Sequence, residues 1–272
     1  MIEVELGNEM SFNLNFIAHS FAATIREAKI KGFVELVTEL ASMQIVYNPD
    51  EISFKDMTRE LKSLYGSMGQ TDSLELDSRI YYFPVLYFDP WTAECVTDYR
   101  AKNTEKQEDD PDYLVRLNNL DDRSHLKRVH SGTEYWVAAL GFWPGLCSLM
   151  PLDPRCRLVA PKYNPPRMWT PKGTIGLGGA VTAIYPDRTP GGYQIFGITP
   201  APTWDPNQRL PAFHDRLALI KAGDRVRFVP IERDEYDHIE AKVKEGVYEH
   251  IFVDYQRFSI SNYNEWLDLI SN

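Results

Sequence analysis

From Thr133 to Ile231 the chain is cut by glycine or proline every few residues. Long helices do not survive such spacing, because proline has no amide hydrogen to donate and glycine costs backbone entropy. What is left are apolar runs of strand length bounded by turn residues: Tyr135–Leu140, Ala180–Tyr185, Tyr193–Ile198 and Arg225–Ile231. Many short strands with turns between them predict a barrel or a sandwich. The same punctuation disposes of a membrane span. The longest apolar stretch, Val137–Leu152, contains Gly141, Pro144, Gly145 and Pro151.

The first 88 residues carry a different pattern. Phe12–Phe16 alternates apolar and polar residues, as a half-buried strand does, and Ser20 can cap a helix with Phe21, Ile25 and Ala28 on one face. Phe33–Val37 and Met43–Tyr47 predict two strands, the second closed by the turn Asn48-Pro49-Asp50. Ser53 opens a second helix bearing Phe54, Met57, Leu61, Leu64 and Tyr65, and Arg79–Phe88 is extended. Strand, helix, strand, strand, helix, strand is the order of a ferredoxin-like α+β module. Residues 89–130 then form a charged, helical surface excursion, with Glu105–Asp112 an acidic, solvated run. Residues 131–272 hold the β-rich part and a tail: a helix at Asp234–Glu245, a strand at His250–Phe258 and a last helix at Asn262–Ile270. The expected fold is thus mostly β with α+β.

Charge narrows the partners. A formal net charge of −10 over 272 residues argues against nucleic acid and against an anionic membrane surface, both of which attract concentrated Lys and Arg. Cys95, Cys147 and Cys156 are odd in number with no CxxC spacing, which predicts free thiols in a reducing compartment. The acidic amino terminus lacks the basic and apolar regions of a secretory signal, so the cytoplasm is expected.

Several local features bear on chemistry. Gly173–Gly179 lacks the Gly-Lys-Ser/Thr ending of a phosphate loop and leads into a strand, so a tight structural turn is expected. The six histidines show neither HxH nor HExxH spacing, and no metal site is expected. Ser131 beside His130 is not a catalytic pair, because chain neighbours do not face each other as a nucleophile and base must. Lys162, Tyr163, Asn164 and Arg167, bracketed by Pro161, Pro165 and Pro166, make a stiff loop rich in donors. Such a loop can hold a carboxylate or a developing oxyanion. Alternatively, Arg167 pairs with a core acid and the rest is surface. Tyr193, beside Gly191 and Gly192, either packs in the barrel or touches substrate.

Taken in order, Leu140–Gly145 (LGFWPG), Leu152–Arg155 (LDPR), Gly173–Gly179 (GTIGLGG), Tyr185-Pro186, Pro190–Tyr193 (PGGY), Gly197–Pro200 (GITP) and Gly223–Pro230 (GDRVRFVP) resemble the allophanate hydrolase subunit 1 family. That family includes a 5-oxoprolinase subunit, a sporulation-kinase inhibitor and one half of the carboxyltransferase domain of urea carboxylase. Lys162–Trp169 (KYNPPRMW), the insert before His130 and the tail from Glu245 to Tyr263 are similar to the urea carboxylase branch in particular. The resemblance implies a cyclophilin-like β-barrel after the small N-terminal domain, and a second carboxyltransferase-type subunit that completes the active site. It implies a small amide, urea-like or lactam substrate. For such a substrate the donor-rich loop makes Lys162, Asn164 and Arg167 the expected catalytic residues, with Tyr135, Tyr163, Tyr193 and Thr199 the expected substrate contacts. No biotin-acceptor Met-Lys-Met segment and no nucleotide motif occur here, so biotin, on a carrier protein, or ATP would act through partner chains.

The chain departs from the family at four places. Val181 stands where relatives often have glutamine, Ile198 where arginine usually precedes the threonine, and Leu146 and Ser148 where aromatics are common. Two further functions therefore stay open: a binding protein that inhibits a kinase, and a diverged stand-alone barrel enzyme.

Overall fold

The computed structural model describes residues 1–69, 74–103, 108–254 and 256–271. They form two compact units.

The first unit comprises Met1–Ser78 and the tail beyond Asp254. Its central sheet holds β1 (Ile2–Glu5), β2 (Phe33–Thr38) and β3 (Ser42–Tyr47) in the antiparallel order β1-β3-β2. Two helices, α1 (Phe12–Ala28) and α2 (Phe54–Ser67), supply Phe21, Ala22, Ile25, Met57 and Leu61 to the core above Met43 and Ile45. Ser53 caps α2 as expected, its hydroxyl accepting from the Asp56 amide at 3.1 Å. Phe12–Phe16, by contrast, is helical and not a strand. Ser11, rather than Ser20, caps the helix, and Phe16, His19, Ser20 and Phe21 continue its buried face. Five residues fit both periods, and the longer run decides for 3.6. The short β4 (Glu75–Asp77) pairs with β15 (Arg257–Ser259), which leads into α7 (Ile260–Ser271). Among the described residues this sheet has three strands, without the fourth of the expected ferredoxin-like module.

The second unit spans Arg79–Asp254. Its strands are β5 (Ile80–Tyr87), β6 (Glu134–Leu140), β7 (Cys147–Pro151), β9 (Thr174–Gly178), β10 (Val181–Ile184), β12 (Gln194–Ile198) and β13 (Arg225–Pro230). They run in the order β12-β9-β10-β7-β6-β13-β5, and β5 pairs back onto β12. The result is a closed seven-stranded barrel, in keeping with the cyclophilin-like expectation. Closure removes both sheet edges. β14 (Ile251–Val253) is added outside β5, and β8 (Arg167–Thr170) pairs with β11 (Thr189–Gly191) as a separate ribbon. The barrel strands are buried almost throughout, with Phe83, Val137, Leu149, Ile175, Phe196 and Phe228 among the interior residues.

Two differences from the sequence-based expectation matter here. β5, grouped above with the N-terminal unit, is a barrel strand held in parallel register by β13, Ile80 opposite Arg225 through Val85 opposite Pro230. The expected surface excursion is not superficial. Its helices α3 (Pro90–Lys102), α4 (Asp110–Leu117) and α5 (Arg123–Ser131) place Cys95, Leu114, Leu126 and His130 out of solvent. Of the acidic run, residues 105–107 lie outside the described residues, but Asp110 is fully buried and Asp112 is paired with Arg123 at 2.6 Å. Charge density suggests a solvated face; the alternation of apolar positions within each helix sets the packing instead.

Candidate active site

The loop Lys162–Met168 is held from several sides. Its backbone carries a cis Asn164-Pro165 bond, and the Tyr163 amide donates to the Gly192 carbonyl at 2.6 Å. Tyr99 of α3 stacks on Tyr163 at 4.6 Å and 12° and donates its hydroxyl to the Pro165 carbonyl at 2.6 Å. The Tyr163 hydroxyl donates to Asp110, whose other oxygen accepts the Ile195 amide of β12 at 2.7 Å. Burial, then the Asp110 charge, drives the Tyr163 phenol well above its ordinary pKa, so it stays protonated and donates to Asp110. Trp169 donates to Asp98 at 2.9 Å.

Arg167 sits within this frame, 1% exposed. Its Nη1 donates to the Tyr193 carbonyl at 2.6 Å, its Nη2 to Thr170 Oγ1 at 3.3 Å, and its guanidinium lies 4.8 Å over the Tyr163 ring. Neither expectation for Arg167 holds in full. It is too buried to present itself to solvent, and no carboxylate forms an ion pair with it among the described residues. Dipoles and a π face solvate the cation instead, and Nε has no partner among the described residues. Lys162 is exposed and its Nζ lies 5.3 Å over the Tyr193 ring; Asn164 is exposed beside it. Tyr193 also packs on Gly178, where an added Cβ would stand 2.4 Å from its ring. Lys162, Tyr163, Arg167 and Tyr193 are therefore one cluster, with Lys162 and Asn164 its accessible polar groups. The nearby Cys95 thiol is pushed up to about 11 by burial and is no nucleophile at neutral pH.

Tyr135 and Thr199 lie elsewhere. Tyr135, expected to line a cleft, points into the sealed barrel at 1% exposure and donates to the His130 carbonyl at 2.9 Å. Beside it the His130 ring shares hydrogen bonds with Tyr87 (2.7 Å) and Thr182 (3.4 Å) and stacks on Phe228 at 4.6 Å. Burial holds that imidazole down to about 3, so it is neutral and structural. Ser131 spends its hydroxyl on the Lys127 carbonyl.

Thr199 lines a cleft of about 250 Å³ between a barrel mouth and α6 (Arg233–Glu245). Gly173 ties its floor together, donating to the Tyr185 carbonyl at 2.7 Å and accepting the Thr199 amide at 2.8 Å. It does so at φ 82°, and a Cβ there would come within 2.2 Å of the Thr199 oxygen, which is why glycine is required. Lys172, Arg209, Glu240 and Lys244 ring the opening, and Thr203 joins Thr199 on the wall. Thr199 apart, the sequence alone does not point to these residues. They come from four separated segments that no local motif connects. Among the described residues no cluster of three or more His, Cys, Asp or Glu could hold a metal ion, and no helix is long and apolar enough to cross a membrane.

Comparison with known proteins adds the relationship. Residues 1–214 match the family described as carboxyltransferase domain, subdomain C and D. Urea amidolyase of Saccharomyces cerevisiae is 27% identical over 271 residues, 97% of this chain and 14% of that protein. A 5-oxoprolinase subunit of Bacillus subtilis is 29% identical over 245 residues, covering 86% of this chain and 90% of that one. The crystal structure of Kluyveromyces lactis urea carboxylase superposes with a TM-score of 0.86 at 26% identity, over 98% of this chain and 24% of that chain. This chain thus spans about one seventh of the yeast urea amidolyase and nearly all of the bacterial subunit.

Proposed function

Because this chain belongs to the carboxyltransferase domain family of subdomains C and D, we propose that it is a carboxyltransferase-type subunit contributing one half of an active site for a small amide, urea-like or lactam substrate. The observation that carries the reading is length. Nearly the whole chain corresponds to a small part of a urea amidolyase, while nearly the whole of a protein named as one 5-oxoprolinase subunit corresponds to this chain. In these relatives the matching stretch is one part of a larger protein or one named subunit, so a second carboxyltransferase-type chain is the expected partner, with biotin on a carrier or ATP supplied from outside.

In this reading Lys162 and Asn164 act directly on substrate or its carboxyl group, as the accessible donors of a loop whose backbone is fixed by Tyr99 and by Asp110 through Tyr163. A fixed donor stabilises developing negative charge without reorganising during the reaction. Arg167 is a positioning residue: it fixes Tyr163 and the Tyr193 carbonyl. Tyr193 presents its ring to Lys162, and Thr199 contributes from the cleft.

The test is substitution in the assembled complex. Lys162→Ala and Asn164→Ala are each expected to lower kcat/KM by about tenfold or more, about 1.4 kcal/mol of transition-state stabilisation, with the melting temperature unchanged. Full activity in both variants would overturn the assignment.

A further inference from the structure

We propose that the cleft between the barrel mouth and α6 is a binding site for a compact organic anion, held at its opening by Lys172 and Arg209. The inference rests on the reading that a small molecule enters the cleft Thr199 lines, and adds the sign of that molecule's charge.

Size comes first. About 250 Å³ lies just below the roughly 300–1,000 Å³ of pockets for drug-sized ligands, so the occupant is smaller than those. Charge comes next. Three cations, Lys172, Arg209 and Lys244, and one carboxylate, Glu240, line the cleft, a formal balance of +2 on a chain whose overall charge is −10. The two signs are not spread evenly. Glu240 is spent on Lys244, one helical turn away at 2.6 Å. Asp205, the acid nearest Arg209, already accepts the backbone amides of Asn207 (3.1 Å) and Arg209 (2.8 Å), and its distance to Arg209 Nε is 3.9 Å, the limit of an ion pair. Lys172 has no carboxylate partner among the described residues. Lys172 is thus left over at the opening, and Arg209 is held there only by a pair with Asp205 stretched to 3.9 Å. A cleft with low-dielectric walls such as Ile184, Pro200 and Val243 focuses their field.

The wall supplies the remaining recognition. Thr203, 1% exposed, lines the cleft and its buried Oγ1 has no hydrogen-bond partner among the described residues. An unpaired buried hydroxyl is costly, and a bound acceptor or a water would satisfy it. The apolar residues suit the carbon skeleton of a ligand whose one end is charged.

The experiment uses the full chain and a near-isosteric pair, cyclopentanecarboxylate and cyclopentanecarboxamide, with inorganic phosphate as a second anion, by calorimetry. Cyclopentanecarboxylate should bind at least tenfold more tightly than the amide, and weaken as salt rises. Lys172→Ala and Arg209→Ala should each reduce that affinity several-fold, while Lys31→Ala, at an exposed lysine of the first unit, does not. Tighter binding by phosphate would place the ligand among phosphoryl compounds and still support an anion site. Equal binding of the acid and the amide, indifference to both substitutions, or no binding of any probe overturns the proposal. Equal binding of the acid and the amide, in an assembled complex that still turns over an amide, would remove the anion site and leave the carboxyltransferase reading intact.

Discussion

Replacing Asp110 with alanine tests how the insert controls the candidate loop. Asp110 is fully buried at the first turn of α4, and its two oxygens bridge the Ile195 amide of a barrel strand and the Tyr163 hydroxyl of the loop. Alanine would strand both donors. A buried donor left unsatisfied costs about 1–3 kcal/mol. Tyr163 is half-buried and can recruit water, so the sum falls toward the lower half of that range for two groups, roughly 2–4 kcal/mol. For a unit of this size that corresponds to a fall in melting temperature of about 4–16 °C. Asp110→Asn keeps an oxygen for Ile195 and offers an amide hydrogen to the phenol oxygen, so its loss should stay near 1 kcal/mol. Tyr163→Phe removes one arm only, and a double-mutant cycle with Asp110→Ala should show coupling of about 1 kcal/mol. Calorimetry with urea unfolding measures all of these proteins. An Asp110→Ala variant within about 0.5 kcal/mol of the parent, or an Asn variant as damaged as the Ala one, would refute the clamp.

Other consequences follow from the same contacts. Gly173→Ala forces a left-handed backbone angle on alanine and drives Cβ into the Thr199 carbonyl, so urea unfolding should show a loss above about 2 kcal/mol and the cleft should lose ligand binding. His130 is held down to about 3 and His250 to about 4 by burial, so the unfolded chain binds more protons below the ordinary imidazole value. Stability should therefore fall as pH drops from about 6.5 toward 4, by roughly 1 kcal/mol per pH unit for each group, and a His130→Gln variant should show a shallower slope. Tyr135→Phe removes the hydroxyl that donates to the His130 carbonyl; it should cost about 1 kcal/mol of stability and leave kcat/KM unchanged, which separates a barrel-packing tyrosine from a substrate-binding one.

The barrel was legible because its signal is local. Glycine and proline spacing fixes strand lengths, and Tyr135–Leu140, Ala180–Tyr185, Tyr193–Ile198 and Arg225–Ile231 each match a barrel strand to within one residue at either end. Ser53 and the face of α2 were readable for the same reason. Pairing was not. β5 could be seen as extended, but its parallel union with β13, some 145 residues away, depends on tertiary contacts no window contains. Phe12–Phe16 failed because a short alternating run is also compatible with a helix. The candidate loop was half visible. Its prolines and donors announce a rigid polar segment, but burial cannot be read from residue type, so Arg167 reads equally as an anion holder or a core ion pair and Tyr135 reads as a cleft residue. Asp110 was hidden inside an acidic run whose average suggested solvent. Lys172, Thr203 and Arg209 meet only because the barrel closes.

The most direct measurement compares turnover of an amide, a urea and a lactam by this chain, by the carboxyltransferase-type chain recovered with it from its native source, and by the two recombined with their carrier or ATP. The shared-site account predicts negligible rates for either chain separately and restored turnover on mixing. Turnover by this chain alone at the rate of the mixture, or recovery of a histidine kinase with no carboxyltransferase-type chain, would contradict it.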